Sequence, residues 1–169
     1  MEFELSASTN RKRARLRPRQ HCGMLCVVVR PSPIHGEGLF ALCTFKPGDT
    51  ICRSEGYIVN STTRCLEPWE SRISYEVSAN HHFVPTGIAG EGAINALAKV
   101  NHGCDPNSYV QFDHQSGFLA LKALRNISAD EEITCDYCAT ETELAHPFFC
   151  RCGMDNCRGF IRGARFKTR

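Results

Sequence analysis

The chain has 169 residues, of which 42% are hydrophobic and 22% are charged, and this composition fits one globular domain with tails and excludes a disordered polymer. Its longest apolar stretch, residues 24–29, is far shorter than the roughly 20 residues that a membrane-spanning helix needs, so we predict no membrane span. The first residues include acids and a basic run but no apolar segment, so we predict no secretory signal and an intracellular protein.

The formal charge of +2 hides an uneven distribution. Residues 1–30 hold seven Lys/Arg and two acidic residues, and residues 158–169 hold five Lys/Arg and no acid. Residues 31–157 hold 8 basic and 16 acidic residues, a net charge of −8. An acidic body attracts a cationic ligand, whereas basic arms suit phosphate backbones or acidic protein surfaces.

Residues 1–22 are predicted to form a disordered basic arm. Six Lys/Arg lie between residues 11 and 19, and the segment has almost no apolar periodicity. Such a run is typical of a nuclear import signal or of a contact with nucleic acid or the nucleosome. The alternative is a solvated tail that only improves solubility, and the sequence does not separate these interpretations.

From residue 23 onward, short β-type runs separated by turn signals predict a mostly β domain of the β-rich α+β class, extending to residue 140. Strands are predicted at 25–30, 39–45, 50–57, 109–112, 118–124 and 132–135. Two short helices are predicted at 67–74 and 93–100, the second half-buried and leading into Asn101. Residues 141–169 form a cysteine-bearing segment with a basic tail.

Eleven cysteines in an intracellular chain are kept reduced, so metal ligation is the first hypothesis for any cluster. Cys150, Cys152 and Cys157 lie within eight positions, with Gly153 available for a tight turn. Tetrahedral zinc takes thiolate ligands at about 2.3 Å, and a closed structural site needs four. Incidental buried thiols are the alternative. Three cysteines are candidates for the fourth ligand: Cys104, Cys135 and Cys138.

Three further segments carry polar or glycine-rich patterns. They are Ile34-His-Gly36-Glu-Gly38, the run Asn101-His-Gly-Cys-Asp-Pro-Asn107, and a predicted strand that ends in Asp136-Tyr137. Each alone is commonly a turn. The Cys135-x-x-Cys138 pair lacks the βαβ context that a thioredoxin-like redox motif requires.

In this order and spacing, the four segments closely resemble the SET-domain protein lysine methyltransferases that carry a C-terminal post-SET zinc segment. The resemblance runs from about residue 25 to residue 159. It implies the SET fold of short antiparallel sheets with few short helices. It also implies transfer of a methyl group from S-adenosylmethionine, through a narrow channel, to a lysine of a histone or another basic protein in the nucleus.

The resemblance also implies roles for individual residues. Tyr137 is implied as the catalytic residue, and Cys135 and Tyr137 as residues of the substrate channel. Cys104 is implied as the fourth ligand of a structural zinc, beside Cys150, Cys152 and Cys157. Seven residues are implied to bind the cofactor: Gly36, Glu37, Gly38, Tyr75, Asn101, His102 and Phe149, for which Phe148 is the neighbouring alternative.

Several positions depart from the family's pattern. Lys99-Val100 stands where the family often has Arg-Phe, and Asp130 stands where a glycine makes a tight turn, a conformation that Asp tolerates better than most residues. Cys135 replaces a Phe or Tyr, and the smaller side chain predicts that more than one methyl group can be added. A zinc-stabilised binding module without turnover and a methyltransferase of a non-histone substrate remain the alternatives.

Overall fold

The computed structural model describes residues 26–87 and 96–166, and of Gly87 and Phe166 it describes the backbone alone. The predicted basic arm and residues 93–95 of the predicted helix at 93–100 lie outside the described residues. Among the described residues, no helix has the length and apolar character that a membrane crossing demands.

Strands dominate the described residues, as the sequence predicts, and the helices are all short. The strands are β1 (Val27–Pro31), β2 (Glu37–Ala41), β3 (Thr50–Asn60), β4 (Tyr75–Ser78), β5 (His81–Gly87), β6 (Asn101–His102), β7 (Ser108–Asp113), β8 (Phe118–Ala123), β9 (Glu132–Cys135), β10 (Phe148–Phe149) and β11 (Phe160–Ile161). The helices are one α-helix, α1 (Tyr137–Thr140), and three 3-10 turns at Glu70–Arg72, Ala96–Lys99 and Ala164–Phe166.

The main sheet runs in the order β1-β2-β9-β7-β8-β3-β5-β4, with β6 paired to β9 beside this path. Neighbouring strands are antiparallel except where β9 meets β6 and β7. The parallel β6–β9 pair matters most for the site, because it sets Asn101 opposite Thr134 and His102 opposite Cys135. A separate antiparallel pair, β10–β11, lies in the C-terminal segment, defined here as residues 141–166.

The core is formed by the apolar side chains of the central strands. Leu39, Leu121 and Ile133 are fully buried, and Phe45 joins them through a bridge between Phe45 and Ile127. Removal of such side chains from water is the main favourable contribution to folding. The core thereby holds β2, β8 and β9 in place. β2 adjoins the glycine segment, defined here as residues 34–38, and β9 ends two residues before Tyr137.

The predicted helix at 67–74 is wrong, because only the 3-10 turn Glu70–Arg72 forms there. The Glu70 side chain is buried and accepts hydrogen bonds from Arg64, from the Tyr57 hydroxyl and from the Glu67 backbone N–H. Because this carboxylate gathers donors from three directions, it favours a compact turn over a longer helix. The guanidinium of Arg64 and the Tyr57 hydroxyl also lower the pKa of Glu70 to about 2.

Other differences are local. The described part of the predicted helix at 93–100 is the 3-10 turn Ala96–Lys99, and the predicted strand at 39–45 ends at Ala41, whose carbonyl accepts from the Asp130 N–H. Asp130 itself has φ +68°, so the left-handed turn that its sequence position predicts is confirmed.

Candidate functional site

Asn101 fastens the glycine segment to the sheet. Its side-chain nitrogen lies 3.2 and 3.1 Å from the backbone carbonyls of His35 and Glu37, and 2.8 Å from the Glu132 carboxylate. The Ser32 hydroxyl, at 3.1 Å from the same nitrogen, donates to the Glu132 carboxylate. Asn101, which begins β6, therefore connects residues 32–37 with β9.

Gly38 lies where this network leaves no space for a side chain. A Cβ atom built on Gly38 would collide with the Glu132 carboxyl group and approach the Ser32 Cβ to 3.0 Å. Gly36, by contrast, has open space around its Cα but a φ of +49°, which L-residues rarely adopt. The two glycines are therefore required for different physical reasons.

Gly38→Ala is expected to push the Glu132 carboxyl group away from Asn101 and Ser32. We expect a loss of about 2–3 kcal/mol in the free energy of unfolding, because overpacking and the broken buried hydrogen bonds add. Chemical denaturation measures this loss. Gly36→Ala is the control and should lose about 1 kcal/mol, from the backbone conformation alone; equal losses in the two variants would contradict the steric argument.

His102 connects this network to a cysteine cluster. The imidazole is buried; its Nδ1 accepts a hydrogen bond from the Tyr137 backbone N–H at 3.2 Å, and its Nε2 lies 3.4 Å from the Cys104 sulfur. An acceptor at Nδ1 places the proton of a neutral imidazole on Nε2, directed towards Cys104 and close to Arg158.

The four cysteines of the predicted zinc site come together. The sulfur atoms of Cys104, Cys150, Cys152 and Cys157 all lie within 4.8 Å of one another, and those of Cys104 and Cys150 are 3.8 Å apart. Tetrahedral Zn–S bonds of about 2.3 Å separate sulfur atoms by about 3.8 Å. Backbone N–H groups of Arg158 and Cys152 point at the Cys104 and Cys150 sulfurs. These residues fit a zinc ion.

The C-terminal segment lies against the site through a few specific contacts. The Arg158 guanidinium forms a 2.6 Å ion pair with Asp136, and this carboxylate also accepts from the Cys138 N–H at the start of α1. Phe148 then packs edge-on against His102 and Tyr137, with ring centroids 5.8 and 6.0 Å away. An aromatic triad therefore links β6, α1 and the C-terminal segment.

A large cleft opens beside this triad. It has a volume of about 880 Å³, within the range of roughly 300–1,000 Å³ that is typical of small-molecule sites. Its lining comes from residues 34–37, 71–72, 98–99, 101–102, 137, 144–149 and 151. At its wall, the Lys99 ammonium forms a 2.7 Å ion pair with Glu37, so the lysine that departs from the family pattern contacts the glycine segment.

The structure distributes the predicted cofactor residues unevenly. Gly36, Glu37, Asn101, His102 and Phe149 line the large cleft. Phe149 is 76% exposed and packs on Phe160, whereas Phe148 is the aromatic residue that contacts the triad. Gly38 does not line the cleft.

Tyr75 lines a different space, a small cavity of about 110 Å³. Its hydroxyl donates to the Leu97 carbonyl at 2.7 Å. Leu97 and Val100 form an apolar part of the cavity wall, and Glu141 and Glu143 contribute acidic side chains. Six residues line both the small cavity and the large cleft: Ser71, Arg72, Ala98, Tyr137, Leu144 and Ala145.

Tyr137 stands between the two spaces as the first residue of α1. Its hydroxyl donates to the Val100 carbonyl at 2.7 Å, and burial raises the pKa of the phenol well above its usual value. The phenol therefore stays neutral at physiological pH. Cys135 lies in neither lining; it is buried, and burial raises the pKa of its thiol to about 12.

The sequence analysis missed the residues that the C-terminal segment and the 3-10 turn at 70–72 contribute, including Leu144, Ala145 and Glu141. Glu141 is half-buried, and its carboxylate accepts from the Glu76 N–H at 2.8 Å. Burial raises the pKa of this carboxyl group to about 7. Nothing in the local sequence distinguishes Glu141 from an exposed surface acid.

The raised pKa of Glu141 makes stability depend on pH. A carboxyl group that binds its proton more tightly in the folded state stabilises the fold below its ordinary pKa, and this contribution disappears as pH rises through the folded value. The groups near it are the Glu76 carboxylate, the phenols of Tyr75 and Tyr137, and the Cys135 thiol. Between pH 4.5 and about 7 the wild type should lose about 3 kcal/mol relative to Glu141→Gln. Denaturation at pH 4 and pH 8 measures the difference, and parallel pH profiles would contradict it.

Comparison with known proteins identifies the family. The family model for the SET domain matches residues 36–138. Histone-lysine N-methyltransferase Set2 of Drosophila melanogaster is 31% identical over 153 residues, 85% of this chain and 6% of that protein. An H3 lysine-4 specific histone-lysine N-methyltransferase of Eremothecium gossypii is 38% identical over 140 residues, 77% of this chain and 14% of that protein.

The fold agrees with the same family. The crystal structure of KRYPTONITE in complex with mCHG DNA and SAH matches with a TM-score of 0.60 at 23% identity, covering 79% of this chain and 28% of that chain. The chain spans only a small part of the curated relatives that it matches. The match over 36–138, which includes Gly36, Glu37, Asn101, His102 and Tyr137 of the large cleft, shows that this chain belongs to the SET domain family.

Proposed function

We propose that this protein is an S-adenosylmethionine-dependent protein lysine N-methyltransferase. The observation that carries the proposal is the position of Tyr137, whose side chain lines both the large cleft and the small cavity. A methyl donor and a lysine can approach such a residue from two sides. The names of the relatives, which are histone-lysine N-methyltransferases, support the same activity.

The large cleft is the proposed cofactor site. When bound, S-adenosylmethionine supplies a methyl group activated by its sulfonium centre. Gly36 and Glu37 border the cleft with backbone that Asn101 holds in place, and the His102–Phe148 pair offers an aromatic surface suited to the adenine ring. Phe149, exposed at the edge of the same cleft, is the second aromatic candidate.

The small cavity is the proposed lysine channel. A lysine amine must be neutral to attack a methyl group, whereas its pKa in water is about 10.4. The walls formed by Tyr75, Leu97 and Val100 exclude water, and burial disfavours the ammonium form. Alignment of the amine with the methyl group then supplies the remaining rate enhancement through proximity and orientation.

Tyr137 positions the reacting groups in this proposal and does not act as a base. Its own proton is donated to the Val100 carbonyl, so the lone pairs of the phenolic oxygen are available to an amine N–H or to the polarised methyl group. Its raised pKa keeps the phenol protonated. Cys135 is buried and lines neither space, and its small side chain is proposed to leave room around Tyr137 for more than one methyl addition.

The proposed zinc site is structural. Four thiolates leave no open position for water, so the ion would connect Cys104, beside the His102 wall, to Cys150, Cys152 and Cys157 of the C-terminal segment. The proposed substrate is a histone or another basic protein in the nucleus, in keeping with the acidic body and the relatives' names. The basic arm is proposed to contact the nucleosome.

Incubation with methyl-labelled cofactor tests the proposal. We expect label on a lysine when the protein is given histones, nucleosomes or nuclear lysate, and mass spectrometry identifies the modified residue. A methyltransferase of a non-histone protein would label the lysate alone. Calorimetry that detects cofactor binding without any labelling would favour the binding module, and absence of both binding and labelling would overturn the proposal.

A further inference from the structure

The small cavity contains one feature that methyl transfer itself does not require, the carboxylate of Glu141. Glu141 follows α1 and lines the cavity beside Tyr75 and Tyr137. Its carboxylate accepts the Glu76 backbone N–H, and its own backbone is fixed at both ends, since its N–H donates to the Tyr137 carbonyl and its carbonyl accepts from the Ala164 N–H. The side chain is therefore held at the cavity wall.

The charge of Glu141 acts on the wall of the small cavity. It contributes to the raised pKa values of Tyr75, Tyr137 and Cys135, although burial is the largest cause for each. The carboxylate therefore lies close to the residues among which the lysine amine is proposed to react.

Among residues 26–87 and 96–166, Glu141 forms no salt bridge with a cationic side chain. Arg72, whose side chain lines the cavity, forms no ion pair with Glu141. Glu143, the other acid of the lining, is paired with Arg165 at 3.2 Å. A half-buried carboxylate without a cation is unfavourable, and an incoming cation would remove that penalty.

We propose that Glu141 recognises the ε-ammonium group of the substrate lysine in the small cavity, which makes it a specificity-determining residue. This inference rests on the proposed function of the same site. A charge-assisted hydrogen bond favours a cationic side chain over a neutral one of similar length, such as methionine or glutamine. The bound ammonium group then loses its proton to solvent, and the neutral amine reacts beside Tyr137.

The test compares wild type, Glu141→Gln and Glu76→Gln. Gln at position 141 retains an acceptor for the Glu76 N–H but loses the charge. Glu76→Gln removes a charge from the adjacent residue, whose carboxylate accepts from the Thr142 N–H and hydroxyl and does not line the cavity. Binding of n-butylammonium, which mimics the lysine side chain, and of neutral 1-butanol is measured by NMR titration of the cofactor-loaded protein.

Glu141→Gln is expected to weaken n-butylammonium binding about tenfold and leave 1-butanol binding unchanged. The KM for a lysine peptide should rise by a similar factor while the Kd of the cofactor stays constant, and Glu76→Gln should alter neither value by more than about twofold. Unchanged ammonium binding in Glu141→Gln would overturn the inference even if methyl transfer persists. Loss of ammonium selectivity in a protein that labels no lysine would support this cation site and count against the proposed function.

Discussion

Removal of zinc is expected to release one equivalent of metal per chain and to detach the C-terminal segment from the body. The segment contacts the body through the Arg158–Asp136 ion pair, a few ring contacts and the hydrogen bonds of residues 141–142 with Glu76, which are weak without a cross-link. Structural zinc contributes on the order of 10–16 kcal/mol of apparent binding free energy in small zinc domains. Without it, we expect residues 148–161 to lose amide protection and the large cleft to lose the wall that Phe148 and Phe149 supply.

Three measurements check this expectation: elemental analysis before and after chelation, hydrogen exchange of the C-terminal segment, and calorimetry with S-adenosylmethionine. Cys157→Ser should reproduce the effect of chelation. Cys65→Ser is the matched control, because Cys65 is exposed and lies outside the cluster. A carefully prepared sample without metal, in which residues 148–161 remain protected from exchange, would refute the four-thiolate site.

The features that could be predicted from the sequence are those with a local chemical signature. Three close cysteines with a glycine between them indicate a metal site before any fold is known, and the cluster includes Cys104 in addition. The strands at 50–57, 118–124 and 132–135 alternate or run apolar, and all three form. Asp130 adopts the left-handed turn because an Asp side chain tolerates it.

The features that could not be predicted depend on contacts between distant residues. The resemblance implies Tyr75 as a cofactor residue but says nothing of its surroundings: its hydroxyl donates to the carbonyl of Leu97, 22 positions away, and its side chain lines the small cavity. The β4–β5 hairpin around it has Asn80 at φ +61° in its turn, but its histidines and Pro85 obscure the alternation that marks a strand.

The position of Glu141 in the site could not be predicted for a related reason. Glu141 follows a four-residue helix that no periodicity can reveal, and its burial arises only when β4 and the C-terminal segment pack against it. Charge counting found an acidic body but could not assign one carboxylate to a cavity. Residues such as Glu141 are thus the hardest to identify from sequence, because their role depends on where the fold places them and not on a local sequence pattern.

Tyr137→Phe should lower kcat on the order of 10²-fold and leave the Kd of S-adenosylmethionine within about twofold. The phenylalanine ring retains the edge contacts with His102 and Phe148, so the wall of the large cleft persists. The substitution removes the phenolic oxygen, which lies between the two spaces, and its hydrogen bond to the Val100 carbonyl. Loss of that hydrogen bond should lower the free energy of unfolding by about 1 kcal/mol.

Single-turnover kinetics with a lysine peptide separates this loss from a binding defect, since the chemical step slows while cofactor affinity and fold remain. Tyr109→Phe is the control, because Tyr109 lies exposed on β7 and lines neither space. A Tyr137→Phe protein that turns over at the wild-type rate would remove Tyr137 from the reaction. Burial keeps the phenol protonated, so ionisation of Tyr137 should not change the wild-type rate up to pH 10. A tyrosine that acted as a base would instead give a rate that rises as the phenol ionises.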